Sequence, residues 1–222
     1  MGMAGSCGAS LCCLLLGATG VGKTLLVKRL QNILESRRGR GKRGSWVKGG
    51  RNRGVPSEEG KRSEETLLPK EVLSSKDGAK DLGDPPATLP TVGTNLTDLP
   101  IGKKITIREL GGCMGPIWSS YYSDCHAVLY MIDAANPTQI SASCVQLLSV
   151  LSAEQLTSVP VLLIFNKIDL PCYMSLMEMK SLFRIQDIIA CAKQVITVVE
   201  ISARDGRGLS DVMKWFQSTL RD

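Results

Sequence analysis

The 222-residue chain has one histidine, His126, and aromatic residues make up only 5% of it. A lone histidine argues against a histidine-rich metal centre. The eight cysteines, Cys7, Cys12, Cys13, Cys113, Cys125, Cys144, Cys172 and Cys191, include no C-x-x-C pair with zinc-ligand spacing. Most lie in apolar periodic stretches, which suits reduced core residues of an intracellular protein better than a disulfide framework. No apolar run approaches the roughly 20 residues of a membrane span. Acidic residues are absent between Ser36 and Ser57, where eight basic residues crowd together: Arg37, Arg38, Arg40, Lys42, Arg43, Lys48, Arg51 and Arg53. Subtracting these eight from the formal charge of +6 leaves −2 for everything else.

That basic, glycine-rich composition cannot bury enough surface to order itself, so residues 35–85 read as a disordered insertion. On either side, 11–34 and 86–220 make one domain, preceded by a short flexible N-terminus over 1–10. Nucleic acid or anionic lipid would be attracted only by residues 36–57. With Trp46 as the one aromatic there, a solvated loop is the simpler reading. Met1-Gly2-Met3-Ala4-Gly5-Ser6 fits the M-G-x-x-x-[ST] acylation pattern, with Cys7 beside it. Acylation of Gly2, and with it peripheral membrane contact by a cytoplasmic protein, stays open.

What the chain does contain is a complete G-x-x-x-x-G-K-[ST] loop, Gly17-Ala18-Thr19-Gly20-Val21-Gly22-Lys23-Thr24, directly after the apolar run Leu11–Leu16. A buried strand, a glycine turn and a helix opening at Lys23 form the context in which such a loop cradles phosphates. The glycines let backbone N–H groups converge on phosphate oxygens at the positive end of the helix. Lys23 would reach the β- and γ-phosphates, and the Thr24 hydroxyl would ligate Mg²⁺. A second apolar run, Val161–Phe165, is followed by Asn166-Lys167-Ile168-Asp169. The Asp169 carboxylate can accept from both N1–H and the 2-amino group of guanine, whereas adenine would leave that charge unpaired. A third run, Val195–Ile201, ends in Ser202-Ala203-Arg204, whose backbone amides are candidates for the guanine O6.

With these motifs in order, the chain resembles a small GTPase, and the finer match is to the ADP-ribosylation factor-like branch. Thr88-Leu89-Pro90-Thr91-Val92-Gly93-Thr94-Asn95 is similar to that branch's T-I-P-T-I-G-F-N switch I segment. Glu109-Leu110-Gly111-Gly112 stands where the family has D-V-G-G, and Pro116–Tyr122 resembles its P-L-W-x-x-Y-F. The resemblance implies that Thr91 binds Mg²⁺ and senses the γ-phosphate, and that the Gly112 amide meets the same phosphate. It also implies a GTP/GDP switch, acting as a monomer, that meets effectors and regulators through switch I, the following hairpin and switch II.

Three departures bear on catalysis. Glu109 replaces the family's metal-side Asp and is one methylene longer. Cys113 replaces the glutamine that orients the attacking water, and a short thiol is poorly suited to hold one. The stretch from Gly112 to Pro116 is also two residues shorter, so switch II should not rearrange in the usual way. The catalytic candidates, Thr91 and Cys113, therefore predict slow or absent hydrolysis. A scaffold that binds GTP constitutively remains open as an alternative. So, with less behind them, do a P-loop phosphotransferase and a nucleic-acid-binding module acting through the insertion.

Hydrophobic periodicity predicts an antiparallel edge hairpin over Asn95–Leu99 and Lys104–Arg108 and a central strand over Ala127–Ile132. Helices are expected over Gln139–Leu151, Leu176–Phe183 and Leu209–Leu220. Strands alternating with helices imply a mostly parallel six-stranded sheet covered on both faces, the P-loop NTPase fold.

Overall fold

A computed structural model of the chain describes residues 11–41, 84–101 and 103–220. Six strands form one sheet: β1 (Leu11–Gly17), β2 (Thr94–Ile101), β3 (Lys103–Leu110), β4 (Ala127–Asp133), β5 (Val161–Asn166) and β6 (Ile196–Ile201). Their order across the sheet is β2-β3-β1-β4-β5-β6, with β2 antiparallel to β3 and every other pair parallel.

Alternating residues of each central strand serve two separate cores. Cys13 and Leu15 of β1 face one side, together with Leu129 and Met131 of β4. There they meet Leu26 and Leu30 of α1 (Lys23–Gly41) and Val212 and Phe216 of α5 (Leu209–Thr219). Leu14 and Leu16 face the other side, against Leu147 of α2 (Ile140–Leu151), Met179 of α3 (Leu176–Leu182) and Ile185 of α4 (Ile185–Cys191). Apolar side chains on both faces explain why these strands read as continuous hydrophobic runs.

The chain leaves β1 toward one face through α1. It leaves β3 toward the other through a 3₁₀ segment, Gly112–Tyr121, whose Trp118 is buried in the second core. The carboxyl ends of β1 and β3 therefore frame a crevice of the kind in which open α/β sheets hold ligands.

Several elements differ from expectation. The first helix does not stop near Leu34 but runs to Gly41, so residues 35–41, expected to begin the insertion, continue α1. Residues 1–10 and 42–83, with the Gly2 acylation pattern and most of the basic tract, lie outside the described residues. Strand β2 runs through Pro100, which an edge strand tolerates because no neighbour needs the missing N–H. Helix α4 follows α3 after two residues, Phe183 and the left-handed Arg184 at φ 52°. The apolar spacing of Ile185, Ile188 and Ile189 was its only signal, and it is short.

Candidate functional site

The loop from Gly17 to Thr24 turns tightly because three of its glycines take positive φ: Gly17 at 137°, Gly20 at 80° and Gly22 at 98°. At its end the Lys23 ammonium donates to the carbonyls of Gly17 (2.7 Å) and Ala18 (2.9 Å). Burial pushes Lys23 down to about 8, with the charges of Glu109 and Cys113 pulling the other way. Below pH 8 the lysine is charged in folded and unfolded chains alike, and burying that charge opposes folding. Between about 8 and 10.4 the unfolded chain keeps a proton that the folded one has released, so the contribution of Lys23 to stability rises with pH there. Burial pushes the Cys13 and Cys125 thiols and the Tyr122 and Tyr130 phenols up, so these groups lower stability as pH climbs through the same window, opposite to Lys23. Urea titrations of wild type and Lys23→Met at stepped pH isolate the lysine: the stability difference between them should shift in favour of wild type as pH rises from about 8 to 10.4. A polyanion seated on the loop would reprotonate the lysine. Calorimetry at pH 8.5 in buffers of differing ionisation heat should then detect proton uptake on nucleotide binding.

Beside the lysine, three oxygens from three elements converge. Thr24 Oγ1 and Thr91 Oγ1 lie 3.1 Å apart, and both hydroxyls donate to the same Glu109 oxygen, Oε1. Glu109 is buried at the end of β3. The segment carrying Thr91 is held from both sides. Lys28 of α1 donates to the carbonyl of Ala87, and the Gly111 N–H donates to the carbonyl of Gly93. Gly112 lies directly against the phosphate loop, since a Cβ there would stand 2.2 Å from the Thr19 nitrogen. Cys113 follows on an exposed turn of the 3₁₀ segment. That segment closes compactly from Gly112 to Tyr121, and the Trp118 indole donates to the Gly111 carbonyl. The missing two residues leave no free loop between Gly112 and Pro116.

The second motif sits at the ends of β5 and β6. Asn166, placed on the ligand by sequence reasoning, bonds the protein through both ends of its buried amide, and its Nδ2 carries a second N–H. Its Nδ2 donates to the Val21 carbonyl (2.8 Å), and its Oδ1 accepts from the Ala203 N–H (3.0 Å). Asn166 thus ties the phosphate loop to the Ser202-Ala203-Arg204 loop. The same bond engages the Ala203 N–H, the amide named as a candidate for the guanine O6. Ser202 is also engaged: its N–H donates to the Arg207 carbonyl and its hydroxyl accepts from the Asp205 N–H. Lys167 takes a left-handed φ of 71° and pairs with the buried Asp133 at 2.6 Å. Of these motif residues Asp169 keeps an unused group: its Oδ1 is buried and has no hydrogen-bond partner among the described residues, a state shared elsewhere with Gln139, Ser143, Gln146 and Gln194. A carboxylate oxygen removed from water with nothing to accept from is costly unless a ligand supplies the donor.

Two supporting residues escaped the sequence reading. Asp133 ends a fully buried strand, and a carboxylate closing such an apolar run was the available signal. Arg29 lies four residues from Leu25 and Ile33, on the apolar stripe of α1, where a charge should not fall without a task. Its guanidinium is buried and donates to the carbonyls of Ala203 (3.3 Å) and Arg204 (2.7 Å). Arg29→Met should destabilise the fold by about 2–3 kcal/mol, because it strands buried carbonyls. It should also loosen the loop beside Asp169, with Arg29→Lys restoring part of both. Urea unfolding and nucleotide titration of the two variants check this.

Comparison with known proteins places this geometry. The profile of the ADP-ribosylation factor family matches residues 80–220. ADP-ribosylation factor-like protein 16 of Homo sapiens is 57% identical over 209 residues, covering 94% of this chain and 86% of the relative. ADP-ribosylation factor-like protein 1 of Drosophila melanogaster is 28% identical, covering 63% and 78% respectively. Among solved structures, the Arl6 BBS3 small GTPase of Trypanosoma brucei, bound to the nucleotide analogue GppNp, aligns over 96% of this chain and 98% of its own. Its TM-score is 0.64 and its identity 15%, a likeness of fold.

Proposed function

The chain belongs to the ADP-ribosylation factor family, and from that premise we propose that it is a guanine-nucleotide switch. The observation that carries the base assignment is the orphaned Oδ1 of Asp169. A guanine edge offers two N–H donors to a carboxylate, and the loop that would hold its phosphates is tied to the same region through Asn166. The experiment is a titration with GTP, GDP, ITP and ATP. GTP and GDP should bind tightest. ITP, which lacks the 2-amino donor, should bind roughly tenfold or more weakly, and ATP weaker still. Equal affinity for ATP and GTP would reject the proposal and favour a phosphotransferase.

In this reading Lys23 and the loop amides hold the triphosphate, and Gly112 approaches its far end across Ala18 and Thr19. The hydroxyls of Thr24 and Thr91 would hold Mg²⁺. Hydroxyl and carboxylate oxygens are the hard donors that this ion prefers. When bound, the ion would neutralise charge on the β- and γ-phosphates. The bond from Gly111 to Gly93 joins the segment carrying Thr91 to the one carrying Gly112, so the two switch segments share contacts. A ligand that binds both segments favours this arrangement, and one that lacks the γ-phosphate releases it.

The exposed apolar side chains Leu89, Val92, Leu96 and Ile117 lie on these segments and the β2–β3 hairpin, and they suit a protein effector. A cytoplasmic monomer with peripheral membrane contact fits the reading, and labelled myristate on the expressed protein tests the acyl anchor.

A second reading is favoured by Cys113 and the compact 3₁₀ segment: a scaffold that holds GTP without turnover. Single-turnover assays separate the two. With no side chain to orient water, intrinsic phosphate release should be slower than roughly 10⁻⁴ s⁻¹, the order of unassisted family-type hydrolysis. Release stimulated by a cell extract would reject the scaffold.

A further inference from the structure

We propose that Glu109 enters the inner coordination sphere of the divalent cation and supplies a third protein oxygen beside Thr24 and Thr91. The inference rests on the nucleotide–metal reading above and goes beyond it by naming a ligand.

The geometry points there directly. Thr24 Oγ1, Thr91 Oγ1 and Glu109 Oε1 form a triangle with edges of 3.1, 2.9 and 2.5 Å. In an octahedron with Mg–O distances of 2.0–2.1 Å, neighbouring oxygens stand about 2.9 Å apart. The three atoms thus approximate one triangular face of that octahedron. The short edge is a hydroxyl-to-carboxylate hydrogen bond, which lengthens once the hydroxyl turns a lone pair to a cation and its proton elsewhere.

Side-chain length decides between direct and water-bridged contact. An aspartate on the same β3 backbone would withdraw its carboxylate by about 1.5 Å, one carbon–carbon bond. That retreat opens room for a water between carboxylate and ion. Glutamate closes it. The setting also suits a carboxylate ligand. Glu109 is buried, the buried Lys23 ammonium stands close enough to interact with its charge, and both threonine hydroxyls already point their polar ends at it. Residues 67 and 85 positions from Thr24 in sequence converge on that one hydroxyl.

The test counts waters. The full chain is loaded with a non-hydrolysable GTP analogue and Mn²⁺, and electron spin-echo spectroscopy in H₂O and D₂O gives the number of waters on the ion. Three protein oxygens and two phosphate oxygens leave a single water on a six-coordinate ion. Glu109→Asp, which keeps the charge, should admit a second. Glu109→Gln should weaken Mn²⁺ binding to the nucleotide complex at least tenfold. Two waters on the wild-type complex overturn the proposal while leaving the nucleotide–metal reading standing. A single water in both wild type and Glu109→Asp also overturns it, since another group must then be the ligand. A Mn²⁺ signal without phosphorus coupling from the analogue would instead overturn the underlying reading.

Discussion

Asp169→Asn is expected to weaken GTP and GDP binding by at least about a hundredfold while leaving the unfolding midpoint of the ligand-free protein within about 0.5 kcal/mol of wild type. The reasoning starts from the orphaned oxygen. In the ligand-free fold Oδ1 makes no hydrogen bond among the described residues, so its replacement breaks none there. It can even relieve the cost of the one buried, unpartnered oxygen on this half-buried side chain. Guanine presents two donors to that edge, and the amide places an N–H₂ where an acceptor is needed. One good bond is lost and one donor faces another, so the penalty exceeds that of simple deletion. The same amide matches xanthine, whose 2-oxo group accepts where guanine's 2-amino group donates. XTP should therefore gain affinity in the variant as GTP loses it. Titration of GTP and XTP against both proteins reads the exchange. Unchanged GTP affinity would remove Asp169 from base recognition.

Gly17→Ala is the largest expected effect on stability. A Cβ at Gly17 would stand 2.4 Å from the carbonyl oxygen of Met131, on the neighbouring strand β4, where neither backbone can yield without parting the sheet. Its φ of 137° adds strain for any residue with a side chain. The combined cost should reach about 3–4 kcal/mol, a large share of the 5–15 kcal/mol that holds a typical domain together. Gly20→Ala provides the control. Gly20 also has positive φ, at 80°, but nothing lies within 4 Å of where its Cβ would be. That change should cost only about 1 kcal/mol, from backbone conformation alone. Urea midpoints at constant slope measure both variants. Equal losses would mean that conformation, not collision with β4, sets the requirement at Gly17.

These two cases show how unevenly the site could be read. The expectation of glycine in the loop and of a carboxylate at Asp169 follows from local pattern: bare backbone suits phosphate oxygens, and an acceptor at a strand end suits a guanine edge. The roles of Asn166 and Ala203 do not follow from pattern, because the residues that satisfy them lie far away in the chain. Asn166 bonds Val21, 145 positions earlier, and Arg29 bonds the loop at Ala203, 174 positions later. No local spacing predicts a partner at such range. The first helix illustrates a different gap. Its extension to Gly41 passes through glycines and arginines that composition assigned to a loop, and composition averages over a window too wide to mark where a helix ends.

The amino-acid sequence by itself determined the class of chemistry and the layered sheet, because hydrophobic period, glycine placement and short polar motifs act within a few residues of one another. Only the tertiary structure decided which polar groups remain free for a ligand and which are consumed in holding the loops together. It brought Thr24, Thr91 and Glu109 to one point and left Asp169 with an open oxygen. Hydrogen-bond partnership between loops depends on where strands end in space, and strand order across the sheet sets that.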